Sequence, residues 1–371
     1  MPFPQLDRQN LRIRPLSARD SKLRADRDCI HPGHAPEDLP DRVREAIRRT
    51  ADGIRQARAD ECPVMLAFGA HTIKNGLGPV LIRLMEEGWV QHLATNGAGI
   101  IHDWEFAFLG RTSEDVRANT AAGQFGIWEE TGRHLNAAIL LGAYDGFGYG
   151  ESVGRLIEED GHRFPAAEEL LEAISDAWES PIHAERAAAA ADLLSVMKRV
   201  GIEPGFEAVS HPWKSVSVQG TAYRLGIPFT AHPMIGHDII YTHPMNHCAA
   251  IGRAAQRDFL TYAACVSRIS GGVYLSVGSA VMSPMVFEKS FSMGQNLALQ
   301  DGRRITGHRI VVVDLAPSRW DWGQGEPPVS SPDYYLRYCK TFSRMGGEMS
   351  YVTCDNRDFL RGLCAVLCGS G

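Results

Sequence analysis

The sequence has no uninterrupted apolar run approaching the roughly 18 residues of a membrane span. No apolar signal segment follows Met1, so a cytoplasmic location is expected. Neither sign of charge is in marked excess. A net charge of −6 over 371 residues and a pI near 6.2 leave no footprint for nucleic acid or an anionic membrane. The eight cysteines (Cys29, Cys62, Cys248, Cys265, Cys339, Cys354, Cys364 and Cys368) form no CxxC pair. That excludes a zinc ribbon and leaves reduced, mostly buried thiols. The sequence also lacks HExxH or any other fixed metal spacing, so no metal site is expected from motif alone. GxGxxG is missing from the first strand-to-helix turn; the GxGxG run in "GFGYGESVG" follows no clear strand. No internal repeat and no Pro/Ser linker divides the chain.

What is present is a large core, since 44% of the residues are hydrophobic. Residues 1–40 read as an N-terminal arm, basic in "LDRQNLRIRPLSARDSKLRADR" and expected to be solvated, with an oligomer contact as the alternative. From 41 to 371 strand and helix patterns alternate. "CPVMLAFGA", "VQHLAT", "GIPFTAHPMI", "GGVYLSVGSA", "RIVVVDLA" and "MSYVTCDN" read as strands, the first fully buried and the second buried. Helices are expected over "APEDLPDRVREAIRRTADGIRQARA", "GLGPVLIRLMEEGW", "IHAERAAAAADLLSVMKRVGI", "AIGRAAQRDFLTYAACVSRI" and "RDFLRGLCAVLC". Another, over "SPDYYLRYCKTFSRMG", has Ser331 as N-cap and Pro332 at its first position. The spacing predicts one α/β domain, a doubly wound and mostly parallel sheet with helices on both faces. A helical excursion interrupts it near 150–210.

In such sheets ligands bind beyond the carboxyl ends of the strands. Here those ends are rich in small residues: "FGAHTIKNG", "TNGAG", "AHPMIGHD", "SVGSA" and "DLAPSRWDWGQG". Together they point to a nucleotide-type ligand, because small residues let it approach the backbone. Histidines cluster at the same ends, at positions 71, 102, 232, 237 and 243, with Asp103 and Asp238 beside two of them. His with carboxylate at converging loops serves metal binding or general acid/base chemistry. Lys340 stands among Tyr334, Tyr335, Tyr338 and Cys339. It reads either as a solvent-facing lysine or as a desolvated, nucleophilic amine.

These stretches, in this order, resemble the deoxyhypusine synthase family over roughly residues 60–110 and 215–368. "GAHTIKNG" and "ATNGAGIIHD" stand where the family has a Thr-Ser-Asn turn and a "TTAGG" strand end. "GIPFTAHPMIGHDIIYTH" stands where it has "IPVF" and "DMIFFH", and "LSVGSA" takes the place of its glycine-rich strand end. Pro332, Asp333 and Lys340 reproduce the spacing of its lysine helix, and Asp355 matches an aspartate of its NAD site. The resemblance implies a doubly wound NAD-binding fold, NAD as cofactor and a homotetramer with sites at subunit interfaces. It also implies transfer of an aminobutyl group through a lysine imine. Thr95, Asn96, Gly97, Ala98, Gly99, Gly278, Ser279 and Asp355 would then hold the dinucleotide, and Lys340 would be the nucleophile or general base.

Departures from the family fall in the substrate site. Ser283 stands in place of its histidine base, His102 in place of an acidic residue, and Tyr334 and Tyr338 in place of a glutamate and a tryptophan. An acidic residue before the lysine helix gives way to proline, with Glu326 nearby. Ammonium groups need carboxylate partners when buried, so these losses argue against spermidine in the family's pose. The expected substrate is another small amine or polar molecule, touched by Asp238, Asp103, Tyr334, Tyr338 and Ser283. His102 or His237 supplies the missing base, and His102 and Asp103 stand at the pocket rim. A metal-dependent hydrolase using the His/Asp set and a non-catalytic nucleotide-binding protein are the alternative readings.

Overall fold

The computed structural model describes residues 3–369. Its strands are β1 (Ser21–Arg24), β2 (Val64–Phe68), β3 (His92–Thr95), β4 (Arg111–Glu114), β5 (Gly161–Phe164), β6 (Gly205–Ala208), β7 (Phe229–Ala231), β8 (Val273–Val277), β9 (Arg309–Asp314) and β10 (Glu348–Thr353). Six of them form a sheet in the order β7-β3-β2-β8-β9-β10, parallel throughout. Counted by entry into that sheet the order is 3-2-1-4-5-6, the arrangement of dinucleotide-binding domains.

Successive side chains on a strand face opposite ways, and both faces here are apolar. Val64, Leu66 and Phe68 belong to a core with Val43, Ile47, Leu81, Leu84, Phe359 and Leu363. These come from the helices Asp41–Ala59, Gly78–Glu86 and Asn356–Cys368. Met65 and Ala67 pack instead with Tyr262, Phe287 and Phe342, from the helices Cys248–Val266, Met282–Gln300 and Arg337–Ser343. The sheet is therefore doubly wound. No described helix is long and apolar enough to cross a membrane. All eight thiols are free, Cys265, Cys339 and Cys364 of them buried.

Two departures from expectation bear on the site. The arm is packed onto the body: Leu16 is fully buried, worth about 1.5–3 kcal/mol, and β1 pairs antiparallel with β4. The helix expected over Ser331–Gly346 is broken. Ser331 caps a short 3₁₀ turn, Pro332–Tyr335, by accepting from the Asp333 N–H at 3.2 Å. Leu336 then leaves helical geometry (ψ 74°), and the helix restarts at Arg337. Leu336 and Tyr338 pack against the second core, which explains the break.

Between β3 and β7 the chain leaves the sheet and builds a core of its own. Leu140, Leu141 and Tyr144 of the helix Glu129–Asp145 meet Leu193, Leu194 and Met197 of Pro181–Val200. Gly201 ends that last helix in the left-handed conformation.

Candidate functional site

The neighbours β2 and β8 are the strands at which the order of winding reverses, so the crevice beyond their carboxyl ends is the expected ligand position. The backbone is tightest here. The Gly69 N–H donates to the Val277 carbonyl at 3.1 Å, and a Cβ on Gly69 would lie 2.1 Å from the Gly278 carbonyl oxygen. Gly278 itself has φ +58°, and past its missing side chain the nearest atom is Asn356 Nδ2 at 3.9 Å. That open space is part of a cavity of about 250 Å³ lined by His71, Asn75, Gly278, Asp314, Asp355 and Asn356, with Val313 and Leu315 on its apolar side. Asn75 Nδ2 donates to Asn356 Oδ1 at 2.8 Å, tying two walls together. Asp355 caps the final helix, and the Arg357 guanidinium holds its carboxyl below the usual range.

A second cavity, about 240 Å³, opens beyond β3. Its walls include Lys74, Ala98, His102, Ser113, His237 and Asp238, with Arg19 and Glu105 behind. The short helix Ala70–Lys74 serves both cavities: His71 and the C-cap Asn75 line the first, Lys74 the second. Asn96 starts the helix Gly97–Leu109 by accepting from the Gly99 N–H at 3.0 Å. Asp238 sits over that helix start, where a Cβ on Gly97 would be 2.0 Å from its Oδ2. This oxygen is buried with no hydrogen-bond partner among the described residues. Burial lifts the Asp238 carboxyl to about 6, with His237 working in the opposite direction. His102 Nδ1 lies 2.7 Å from Thr112 Oγ1, and burial pushes the ring down to about 4, so it is neutral at pH 7.

Several expected site residues have other partners. Asp103 is not at the rim: it is fully buried and accepts from Ser217 Oγ (2.6 Å) and from the N–H groups of Val218 (2.9 Å) and Gln219 (3.1 Å). It thereby caps the helix Val218–Leu225. Ser283 is buried and hydrogen-bonded to Tyr274 and Ser276, which turns it away from both cavities. Thr95 donates to the Phe68 carbonyl (2.9 Å), and Ser279 Oγ accepts from the Ser283 N–H (3.2 Å). Lys340 Nζ lies 3.5 Å from Glu326 and 3.4 Å from the centre of the Tyr334 ring; Tyr338 bonds to Tyr351 at 3.1 Å. None of Lys340, Tyr334 and Tyr338 lines either cavity.

The five histidines do not converge as a set: only His102 and His237 share a cavity. His232 sits 3.1 Å from Thr230 Oγ1 and His243 3.3 Å from Glu129. Among the described residues no three His, Cys, Asp or Glu side chains gather as metal ligands. Sequence reasoning passed over Lys74, Asn75, Asp314 and Asn356, although all four lie in or beside strand-end stretches that it singled out. It gave no role to Arg19 or Glu105.

Fold and site together define a doubly wound α/β protein with two cavities at the carboxyl edge of its sheet, each carrying charged and polar side chains on a partly apolar wall. The sequence matches no protein-family model and no curated protein. Among solved structures it is similar to AgrE in a ternary complex with ornithine and NAD+ (16% identity, TM-score 0.42, 89% of this chain and 34% of AgrE). It is also similar to a conserved LOR/SDH protein of Methanococcus maripaludis S2 (12%, 0.42, 91% and 72%). A third is an Entamoeba histolytica protein described as a deoxyhypusine synthase (11%, 0.37, 82% and 74%). The chain thus spans about a third of the length of AgrE. With TM-scores below 0.5, none of the three bears on the site.

Proposed function

We propose that this protein is an NAD-dependent enzyme acting on a small amine-bearing substrate. The dinucleotide lies at the switch point and the substrate in the cavity of Lys74, His102, His237 and Asp238. The observation that carries the reading is the pair of cavities sharing the helix Ala70–Lys74 as a wall. One cavity suits a nucleoside, and the other holds the acid/base groups.

The residues of the first cavity fit half a dinucleotide. Gly278 leaves open space next to its backbone, Asp314 and Asp355 offer carboxylates to a ribose diol, and Val313 and Leu315 offer apolar contact to a base. Bound NAD would supply a hydride acceptor. The chain's own groups do the rest. Asp238, a carboxylate short of partners, pairs with the substrate ammonium. His102, neutral at pH 7, accepts the proton the amine must lose before its carbon can give up a hydride. Lys74 attracts an acidic group on the same substrate. Lys340, committed to Glu326 and Tyr334, takes no covalent part in this reading.

Calorimetric titration with NAD tests the first half. Wild type binds, and Gly278→Val, whose side chain projects into the cavity, does not. Absence of binding by wild type at millimolar NAD and NADH overturns the reading. The second half has a pH signature. Burial lifts the Asp238 carboxyl to about 6, so binding of 4-aminobutanoate, which carries one ammonium and one carboxylate, to the NAD-saturated protein strengthens from pH 5 to 7.5 as the Asp238 carboxylate forms. In Asp238→Asn that dependence disappears. An identical pH dependence in the variant removes Asp238 from the substrate site.

A further inference from the structure

We infer that Arg19, Glu105 and Thr112 form a hydrogen-bonded relay that fixes His102 as the tautomer with its proton on Nδ1, leaving the Nε2 lone pair for the cavity. The argument is one of donor and acceptor accounting. Glu105 is buried and held by both terminal guanidinium nitrogens of Arg19, at 2.7 and 2.8 Å. A carboxylate so paired only accepts. It accepts from Thr131 Oγ1 at 3.0 Å and from Thr112 Oγ1 at 2.5 Å, the second a short, charge-assisted bond. The single hydroxyl hydrogen of Thr112 is thereby spent. Across the 2.7 Å to His102 Nδ1, Thr112 can offer only a lone pair, so the imidazole is the donor there. The proton stays on Nδ1, and Nε2 is bare.

Two features of the backbone hold this arrangement in place. Thr112 lies on β4, opposite Leu23 of the arm strand, so the arm that carries Arg19 also positions the hydroxyl. Ser113, the next residue, lines the cavity with φ +67°. A non-glycine residue in that region is strained and persists only where its surroundings hold it. Burial disfavours the protonated ring most, the positive charges of Lys74 and Arg19 add to it, and Glu105 opposes them. The ring therefore presents an acceptor and no charge. Arg19, Glu105 and Thr112 act through His102 and are positioning residues; of the four, His102 is the one placed to take a proton in the cavity.

The inference gives the proposed base its orientation and rests on the enzyme reading only for its purpose. It can be tested without substrate or NAD, so the two fail separately. Two-bond ¹H–¹⁵N correlation spectra of ¹⁵N-histidine-labelled protein at pH 7, with His102 assigned by His102→Asn, read the tautomer directly. The expected result is a protonated Nδ1 and an unprotonated Nε2 in wild type. Thr112→Val keeps the shape and removes the acceptor; there His102 shifts to the Nε2–H tautomer or to a mixture. Thr112→Ser restores the wild-type pattern. An Nε2–H tautomer in wild type overturns the relay by itself, whatever the variants do. So does a Thr112→Val protein whose His102 signals are unchanged.

Discussion

Arg19→Met is expected to cost about 3–5 kcal/mol of stability, the cost of breaking a buried ion pair from one side. Both side chains are 1% exposed, and the methionine leaves the Glu105 carboxylate without its counter-charge in a dry site. Urea unfolding at pH 7 measures the loss. Arg19→Met/Glu105→Leu removes both charges and is expected to recover most of it, because a pair replaced by apolar groups is close to neutral. The pH profile gives the sign. Burial works to raise the Glu105 pKa, but the charge and hydrogen bonds of Arg19 outweigh it and hold the group below its ordinary range. In wild type that contribution is present above the unfolded glutamate pKa and is lost as the pH falls through the lower folded value. Without Arg19 the carboxyl is simply buried. Its folded pKa rises above the unfolded one, and the variant gains on acidification relative to wild type. A loss below about 1 kcal/mol at pH 7 would mean that water reaches Glu105 and that the relay has no dry anchor.

Gly69→Ala is expected to abolish NAD binding and to destabilise the fold by about 1–3 kcal/mol, the usual cost of forcing a group into a packed interior. The new methyl would stand 2.1 Å from the Gly278 carbonyl oxygen. Neither backbone can retreat, since β2 and β8 are paired along their whole length and Gly69 is bonded to Val277. Gly278→Ala separates the two consequences. Its methyl meets open space, so stability falls only by the cost of a left-handed alanine, about 1 kcal/mol, while NAD binding weakens. Thermal unfolding and calorimetric titration of the two variants side by side check both. Equal NAD affinity in Gly69→Ala and wild type would move the dinucleotide away from the switch point.

The sheet was legible because parallel strands covered on both faces read as unbroken apolar runs, as in "VMLAF" and "RIVVVD". Its small-residue ends were legible for the same local reason. The arm was not, because its burial depends on partners far along the chain, Arg19 on Glu105 and Leu23 on Thr112. Nothing within "SARDSKLR" shows that one arginine is interior. The helix Met282–Gln300 escaped because its apolar residues go all round it: Phe287 is buried while Met285, Met293 and Leu297 are exposed. No single stripe stands out at helical spacing. At the site, "NGAGIIHDWEFA" showed its chemistry but not its directions. Adjacent positions on a helix point different ways, so His102 reaches the cavity, Asp103 caps a neighbouring helix and Glu105 anchors a relay.

One feature of the topology bears on how the molecule forms. After β3 the chain leaves the sheet at Thr95 and does not return until Phe229, having built the whole excursion with its separate core on the way. β7, three residues long, then attaches beside a strand laid down far earlier. The entropy of closing so long a loop is lost before any pairing rewards it. The β7 edge is therefore expected to zip up late, and the wall that carries Asp238, seven residues beyond it, to be among the last parts of the molecule to take shape.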